Sequence, residues 1–347
     1  MVSARRRLRD LGVAVGVLPT GRWNAITDVP GVRVGHVTLD VARGFPASVC
    51  TGVTAVAYGL PDSAPRTLRA ASHVINGFGK TVGLVQLDEL GELEGPILLT
   101  NTFAVGASLE GGLRHRLLLD PRIGDDRPSA NVVVGECNDG YLNALSLFAV
   151  RPEHAEQAIA SAASGPVAEG AVGGGKGMTC CGWKGGIGTA SRTSEAQGFT
   201  VGVLVQANFG AAQDLTILGV PVGRQLRPQD FLPGDGSIIM VVATDLPWDA
   251  LSLRRLASRT AFGLARLGAV ASHGSGDIAI AFSTAEQGTP AHSDGGDLAT
   301  WAFHAVAEAT EEAILNALAM AETTEGRQGR VVPALPLDAT LDLLRRR

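Results

Sequence analysis

The sequence predicts a single α+β domain with helices packed on sheet, and three observations predict it. Short runs of Val, Ile and Leu recur along the chain, each meeting a polar, Gly-rich stretch, as at 238–242 and 278–282. Longer stretches such as 251–267 and 298–322 carry apolar residues at helical spacing. Finally, 347 residues with 45% hydrophobic content suffice for a large core, and neither a repeat nor a low-complexity linker divides the chain.

In order, residues 24–38 form two alternating apolar segments around a Pro30-Gly31 turn, a strand or hairpin, and 51–58 is a second strand. Residues 72–80 read as a Gly-rich loop. A helix is expected over 81–93 because Val82, Leu84, Val85, Leu87 and Leu90 fall near 3.6 spacing before Gly91. Residues 96–102 read as a buried strand with a polar end, and 103–117 as a helix. The strand at 131–135 delivers Glu136, Asn138 and Asp139 to its C-terminal end, where a carboxylate is costly unless exposed or met by a cation.

Residues 153–164 form an Ala-rich helix. Gly170 to Lys176 fits the spacing of a phosphate-binding G-x-x-x-x-G-K loop, but Gly177 stands where a hydroxyl should bind Mg²⁺ and no clear strand enters, so nucleotide binding is not expected. Lys176 reads as solvated or bonded to backbone. After the glycine-dense 182–192, residues 199–206 read as a strand leading to Asn208, and 220–229 as an exposed connector. The 251–267 helix carries Arg254, Arg255, Arg259 and Arg266 on a solvated face. A strand at 278–282, a polar loop at 284–297, a helix at 298–322 and an exposed tail ending in Arg345-Arg346-Arg347 complete the chain.

A net charge of −5 gives no electrostatic case for nucleic acid. The densest basic cluster, Arg5-Arg6-Arg7 with Arg9, precedes an apolar stretch that is short, interrupted by Gly12 and Gly16, and without an A-x-A site. It reads as a surface arm of a cytoplasmic protein, and no run of about 20 apolar residues suggests a membrane partner. Cys50, Cys137, Cys180 and Cys181 are too irregularly spaced for a disulfide framework, and the scattered His residues offer no zinc spacing, so reduced thiols are expected.

The chain is organised around 231–245, where the turn formers Pro233, Gly234, Asp235 and Gly236 lead through Ser237 into a strand buried on both faces. The Ser237 hydroxyl is thereby held at the mouth of a rigid sheet, and similar polar loops flank Glu136, Asn208 and His273-Gly274-Ser275-Gly276-Asp277. A serine needs a base, and no His is spaced to announce that role. An N-terminal serine supplies one through its own α-amine, whose ordinary pKa is about 7.7. Gly236-Ser237 suits such a cut, because the hydroxyl can attack the preceding carbonyl in an N-to-O acyl shift that water completes.

At these residues the chain resembles the L-aminopeptidase/D-esterase family, which includes the β-peptidyl aminopeptidases. The resemblance rests on Asn24-Ala25-Ile26-Thr27-Asp28-Val29 with Gly35-His36, Leu99-Thr100-Asn101-Thr102, Gly135-Glu136 with Asn138-Asp139-Gly140, the loop 173–178, Gly234-Asp235-Gly236-Ser237, and Ser272-His273-Gly274-Ser275-Gly276-Asp277. It implies a precursor that cuts itself between Gly236 and Ser237, leaving an α chain 1–236 and a β chain 237–347 that stay associated. The implied fold is a four-layer αββα sandwich like that of the ornithine acetyltransferase-type self-processing hydrolases. Implied too are release of N-terminal residues from small peptides, amides or esters, no metal or organic cofactor, and a homo-oligomer, commonly a tetramer of α/β units.

By the same resemblance, Ser237 is the nucleophile, Ser275 and Asp277 bond and tune its amine, Asn208 donates to the oxyanion, and Glu136 binds the substrate ammonium. Some relatives carry a tyrosine as second oxyanion donor where this chain has Asn138, an amide that can also donate; Tyr141 would serve only if its loop turns inward. Taken singly, Asp277 reads as a turn cap, Asn208 as a partner of loop backbone, and Glu136 as the partner of a structural Arg; His273 is taken as structural. An acyltransferase using the same serine and a non-catalytic metabolite binder remain the alternatives.

Overall fold

A computed structural model of the chain describes residues 5–42, 47–60, 66–194, 196–226, 236–286, 289 and 296–346. The expected turn at 233–235, the end of the 220–229 connector, most of the 284–297 loop and the terminal Arg347 lie outside the described residues.

The strands are β1 (Val32–Ala42), β2 (Ser48–Tyr58), β3 (Leu68–Gly77), β4 (Glu92–Leu93), β5 (Ile97–Asn101), β6 (Val133–Cys137), β7 (Thr179–Cys180), β8 (Trp183–Lys184), β9 (Gly186–Ser194), β10 (Phe199–Asn208), β11 (Ser237–Thr244), β12 (Gly276–Ser283), β13 (Thr324–Glu325) and β14 (Val331–Val332). The helices are α1 (Leu84–Leu90), α2 (Val105–Leu119), α3 (Pro152–Ala160), α4 (Val222–Leu226), α5 (Ala250–Ser258), α6 (Thr260–Ala265), α7 (Gly296–Met320) and α8 (Leu337–Arg345). A four-stranded sheet runs β1-β2-β5-β6 and a six-stranded sheet runs β4-β3-β12-β11-β10-β9. Neighbours are antiparallel except β5–β6 and β11–β12.

The continuous apolar run of β11 has a simple cause: both of its faces are covered. Ile239 and Val241 pack with Ile278, Leu99 and Val133, joining the two sheets. Ile238, Met240 and Val242 pack with Leu253 of α5 and Leu315 of α7 on the other side. The far face of the smaller sheet, with Val53, Ala55 and Leu98, is covered by Ala155 and Ile159 of α3. Each fully buried Val, Leu, Ile or Met among these contributes about 1.5–3 kcal/mol. The Ala-rich α7 lies so close on β9 that a Cβ at Gly188 would stand 1.9 Å from the Ala313 carbonyl oxygen.

Several local expectations are corrected. Residues 72–77 belong to β3, because Ala70, Ala71 and Ser72 pair with β12 and are buried; Gly77 and Gly79 alone suggested a loop. The 81–93 helix is shortened to α1 and yields to β4, and much of the glycine-dense 182–192 is strand β9. The single helix over 251–267 breaks at Arg259 into α5 and α6. Its arginines are not merely solvated: Arg255 and Arg259 lie over the Phe303 ring, and Arg266 pairs with Glu311 at 3.0 Å. Lys176 pairs with Asp40 at 2.7 Å rather than with backbone.

The basic N-terminal run is not a free surface arm. Arg7 pairs with Glu169 and Arg9 with Glu312, each at 2.6 Å, and Leu8 and Val15 are buried between them. Arg5 donates to the Ala319 and Leu318 carbonyls at the end of α7, where orphan carbonyls and the helix dipole favour a cation. At the centre, the fully buried Arg192 bridges Glu308 at 2.9 Å and Glu312 at 2.8 Å. All four cysteines are free and buried. No helix of the described residues is long and apolar enough to cross a membrane.

Candidate active site

Strand direction gathers the polar loop ends. β10 runs antiparallel to β11, so its last residue, Asn208, pairs with the first residue of β11, Ser237. β12 runs parallel to β11, so its start lies beside the same point, with Asp277 opposite Ile238. β3 arrives antiparallel and ends at Gly77, opposite Gly276. From the facing sheet, β6 brings Glu136 on its penultimate residue.

Ser237 is 7% exposed, and its Oγ accepts the Gly276 N–H at 3.1 Å. That donor would also favour negative charge developing on the hydroxyl oxygen. Gly236, on the other side of the bond expected to break, presses on the neighbouring strand: a Cβ there would lie 2.0 Å from the Asn208 carbonyl oxygen. Only a residue without a side chain fits that approach.

The Asn208 amide is fixed by its neighbours. Its Oδ1 accepts the Thr179 N–H at 2.8 Å, which turns Nδ2 toward the Asn138 carbonyl at 3.1 Å. An amide nitrogen carries two hydrogens, so one donor remains for a ligand. The loop-partner reading and the donor role are thus compatible.

Ser275 Oγ donates to Asp277 Oδ1 at 2.6 Å, while Asp277 Oδ2 is buried with no hydrogen-bond partner among the described residues. Burial raises the Asp277 carboxyl to about 6, against the opposing pull of the Ser275 hydrogen bond. This pair lines a separate small cavity of about 20 Å³, not the larger one onto which Ser237 opens. The turn-cap reading of Asp277 gives way to a position inside β12.

The larger cavity, about 410 Å³, is lined by Ser237, Gly236, Asn208, Glu136 and Asn138. Glu136 is 3% exposed; its Oε1 accepts the Lys80 N–H at 2.8 Å and its Oε2 accepts the Thr102 hydroxyl. Among the described residues it makes no ion pair, so the structural-Arg expectation fails. A buried carboxylate supported by neutral donors and facing a cavity is prepared for an incoming cation. Asn138 is exposed and turns its Oδ1 back onto the Gly140 N–H at 2.8 Å, which leaves its NH₂ for the cavity.

Four lining residues escape a sequence reading, Phe78, Lys80, Thr179 and Arg330, and Thr102 enters it only within the Leu99-Thr100-Asn101-Thr102 motif, without a role at the site. Only Thr102, at the polar end of a buried strand, gave a usable signal. Tyr141 does line the cavity, so its loop turns inward as its role would require. His273 packs its ring against Phe78, with centroids 6.4 Å apart, in keeping with a structural part.

Comparison with known proteins follows the same direction. Residues 24–332 match the profile of Peptidase family S58. Beta-peptidyl aminopeptidase BapA of Sphingosinicella microcystinivorans is 44% identical, with 95% of this chain and 89% of the relative covered. The Burkholderia sp. beta-aminopeptidase superposes with a TM-score of 0.88 at 42% identity, covering 98% of this chain and 99% of that one. The L-aminopeptidase D-Ala-esterase/amidase of Ochrobactrum anthropi, a serine aminopeptidase with a variant of the Ntn hydrolase fold, gives a TM-score of 0.88 at 37% identity, with 98% of each chain covered.

Proposed function

Because the chain belongs to Peptidase family S58, we propose that it is a serine aminopeptidase, with amidase and esterase activity, that releases N-terminal residues from small peptides, amides or esters after cutting its own backbone before Ser237. The observation that carries this reading is a hydroxyl at a strand start, Ser237, sharing one cavity with a buried carboxylate, Glu136, that has no cation of its own among the described residues.

In the maturation step Ser237 Oγ adds to the Gly236 carbonyl, the C–N bond breaks, and the acyl group moves from nitrogen to oxygen. Water then hydrolyses the ester, leaving a carboxylate on Gly236 and a free amine on Ser237. In turnover that amine takes the Oγ proton as Oγ attacks the scissile carbonyl. The Asn208 amide is the oxyanion donor, an effect whose removal costs about 10²–10³-fold in rate, while the Gly276 N–H stays on Oγ. The proton passes to the leaving amine, and water releases the acyl group. Glu136 holds the substrate ammonium, Asn138 and Tyr141 border it, and Ser275 with Asp277 tunes the Ser237 amine.

The finer fold reading, a four-layer αββα sandwich akin to the ornithine acetyltransferase-type hydrolases, is supported by one core between the sheets and one on the outer face of each. A cytoplasmic setting is supported by four free, buried thiols. A homo-oligomer of α/β units rests on the family resemblance, since a singly exposed apolar side chain such as Phe262, 62% exposed, is ordinary.

Intact-mass spectrometry of the denatured protein tests the reading: two masses are expected, split between residues 236 and 237. Ser237→Ala should give one uncut chain with no hydrolysis of aminoacyl p-nitroanilides. An uncut wild-type chain that turns substrate over at full rate would overturn it.

A further inference from the structure

Arg330 reaches the cavity from the segment joining β13 and β14, remote in sequence from everything else at the site. Two contacts with one residue hold it there. Its Nη1 donates to the Tyr141 carbonyl at 3.2 Å, and its guanidinium lies 4.8 Å from the centre of the Tyr141 ring. Neither contact supplies a counter-charge, and among the described residues Arg330 makes no ion pair. Arg7, Arg9 and Arg192 each meet a carboxylate within 3 Å; Arg5, bonded to carbonyls, and the buried Arg116 also make no ion pair among the described residues, but neither lines the cavity.

Lys80, the other cation on the cavity wall, belongs to the Glu136 side. Its backbone N–H bonds Glu136, and its ammonium lies 4.8 Å from the centre of the Phe78 ring. The cavity therefore carries an unpaired carboxylate and, from a different part of the chain, an unpaired planar fork. A planar fork matches a carboxylate bidentately. Its volume of about 410 Å³ lies toward the small end of ligand sites, and two extended residues span at most about 7 Å.

Building on the aminopeptidase reading above, we propose that Arg330 binds the C-terminal carboxylate of the substrate, so that among its peptide substrates a dipeptide free acid is preferred to its C-terminal amide. With the ammonium on Glu136 and the scissile carbonyl at Ser237, the carboxylate of the departing residue falls to Arg330. A charge-assisted pair of this kind is worth about ten- to hundredfold in kcat/KM.

The test compares three substrates with the same N-terminal residue: a dipeptide free acid, its C-terminal amide, and the aminoacyl p-nitroanilide. The acid-to-amide ratio of kcat/KM is read within each enzyme, so any general loss of activity cancels. Wild type should favour the acid at least about tenfold. Arg330→Gln, which keeps a donor for the Tyr141 carbonyl, should bring the ratio near one, and Arg330→Glu should invert it. A wild-type ratio of one or below, or a ratio unchanged in both variants, overturns the assignment. If wild type hydrolyses none of the three substrates, the aminopeptidase reading itself fails, and the assignment with it.

Discussion

Replacing Glu136 by Gln separates the two reactions assigned to Ser237. The carboxylate is 3% exposed and supported by the Lys80 N–H and the Thr102 hydroxyl, so Gln keeps the shape and at least one of those bonds. What it removes is the charge proposed to meet the substrate ammonium. A charged hydrogen bond is worth about 1.5–3 kcal/mol, and two unit charges 4 Å apart at an effective dielectric of 20 give about 4 kcal/mol. At about 1.4 kcal/mol per decade, kcat/KM for an aminoacyl p-nitroanilide should fall by about 10- to 1000-fold. Self-cutting involves no substrate ammonium, so intact mass should show the variant divided as in wild type. Hydrolysis within threefold of wild type would refute the assignment, as would a variant that fails to cut while remaining folded.

Gly236→Ala drives a Cβ to 2.0 Å from the Asn208 carbonyl oxygen, and relief moves the attacked carbonyl by about 1 Å; self-cutting, followed by mass over time, should slow about 100-fold. An unchanged rate would remove the steric account. Asp139 is fully buried and its carboxyl is raised to about 7 by burial, so the folded state holds a proton that the unfolded chain releases near pH 4. Stability therefore falls as pH rises through that window, and between pH 5 and pH 8 wild type should lose about 2–3 kcal/mol that Asp139→Asn does not lose, read by urea unfolding. Arg192→Ala leaves Glu308 and Glu312 buried beside an empty place and should cost about 3–5 kcal/mol; a loss under about 1 kcal/mol in urea unfolding would mean the carboxylates find other partners.

The site's core was legible because strand ends carry their polar residues openly: Ser237, Asn208 and Glu136 each close or open an apolar run. Their convergence depends on β10 and β12 flanking β11 in opposite senses, a pairing that no local pattern encodes. Arg330 and Lys80 gave no signal, since what makes them notable is the cavity they share. The N-terminal arginines looked like a solvated run because their partners, Glu169 and Glu312, lie far along the chain. At 72–77 two nearby glycines outweighed a strand whose partner, β12, comes some two hundred residues later.

The place of β11 and β12 within the larger sheet bears on what the proposed cut before Ser237 would leave. Residues after 237 supply the two middle strands, while β10 and β9 on one edge and β4 and β3 on the other come from before it. The shorter piece is thus threaded into the longer one rather than docked against it. Neither could withdraw without stripping a whole ladder on each flank, so the severed protein should melt in one transition, and its halves, made separately, should not find each other as finished parts.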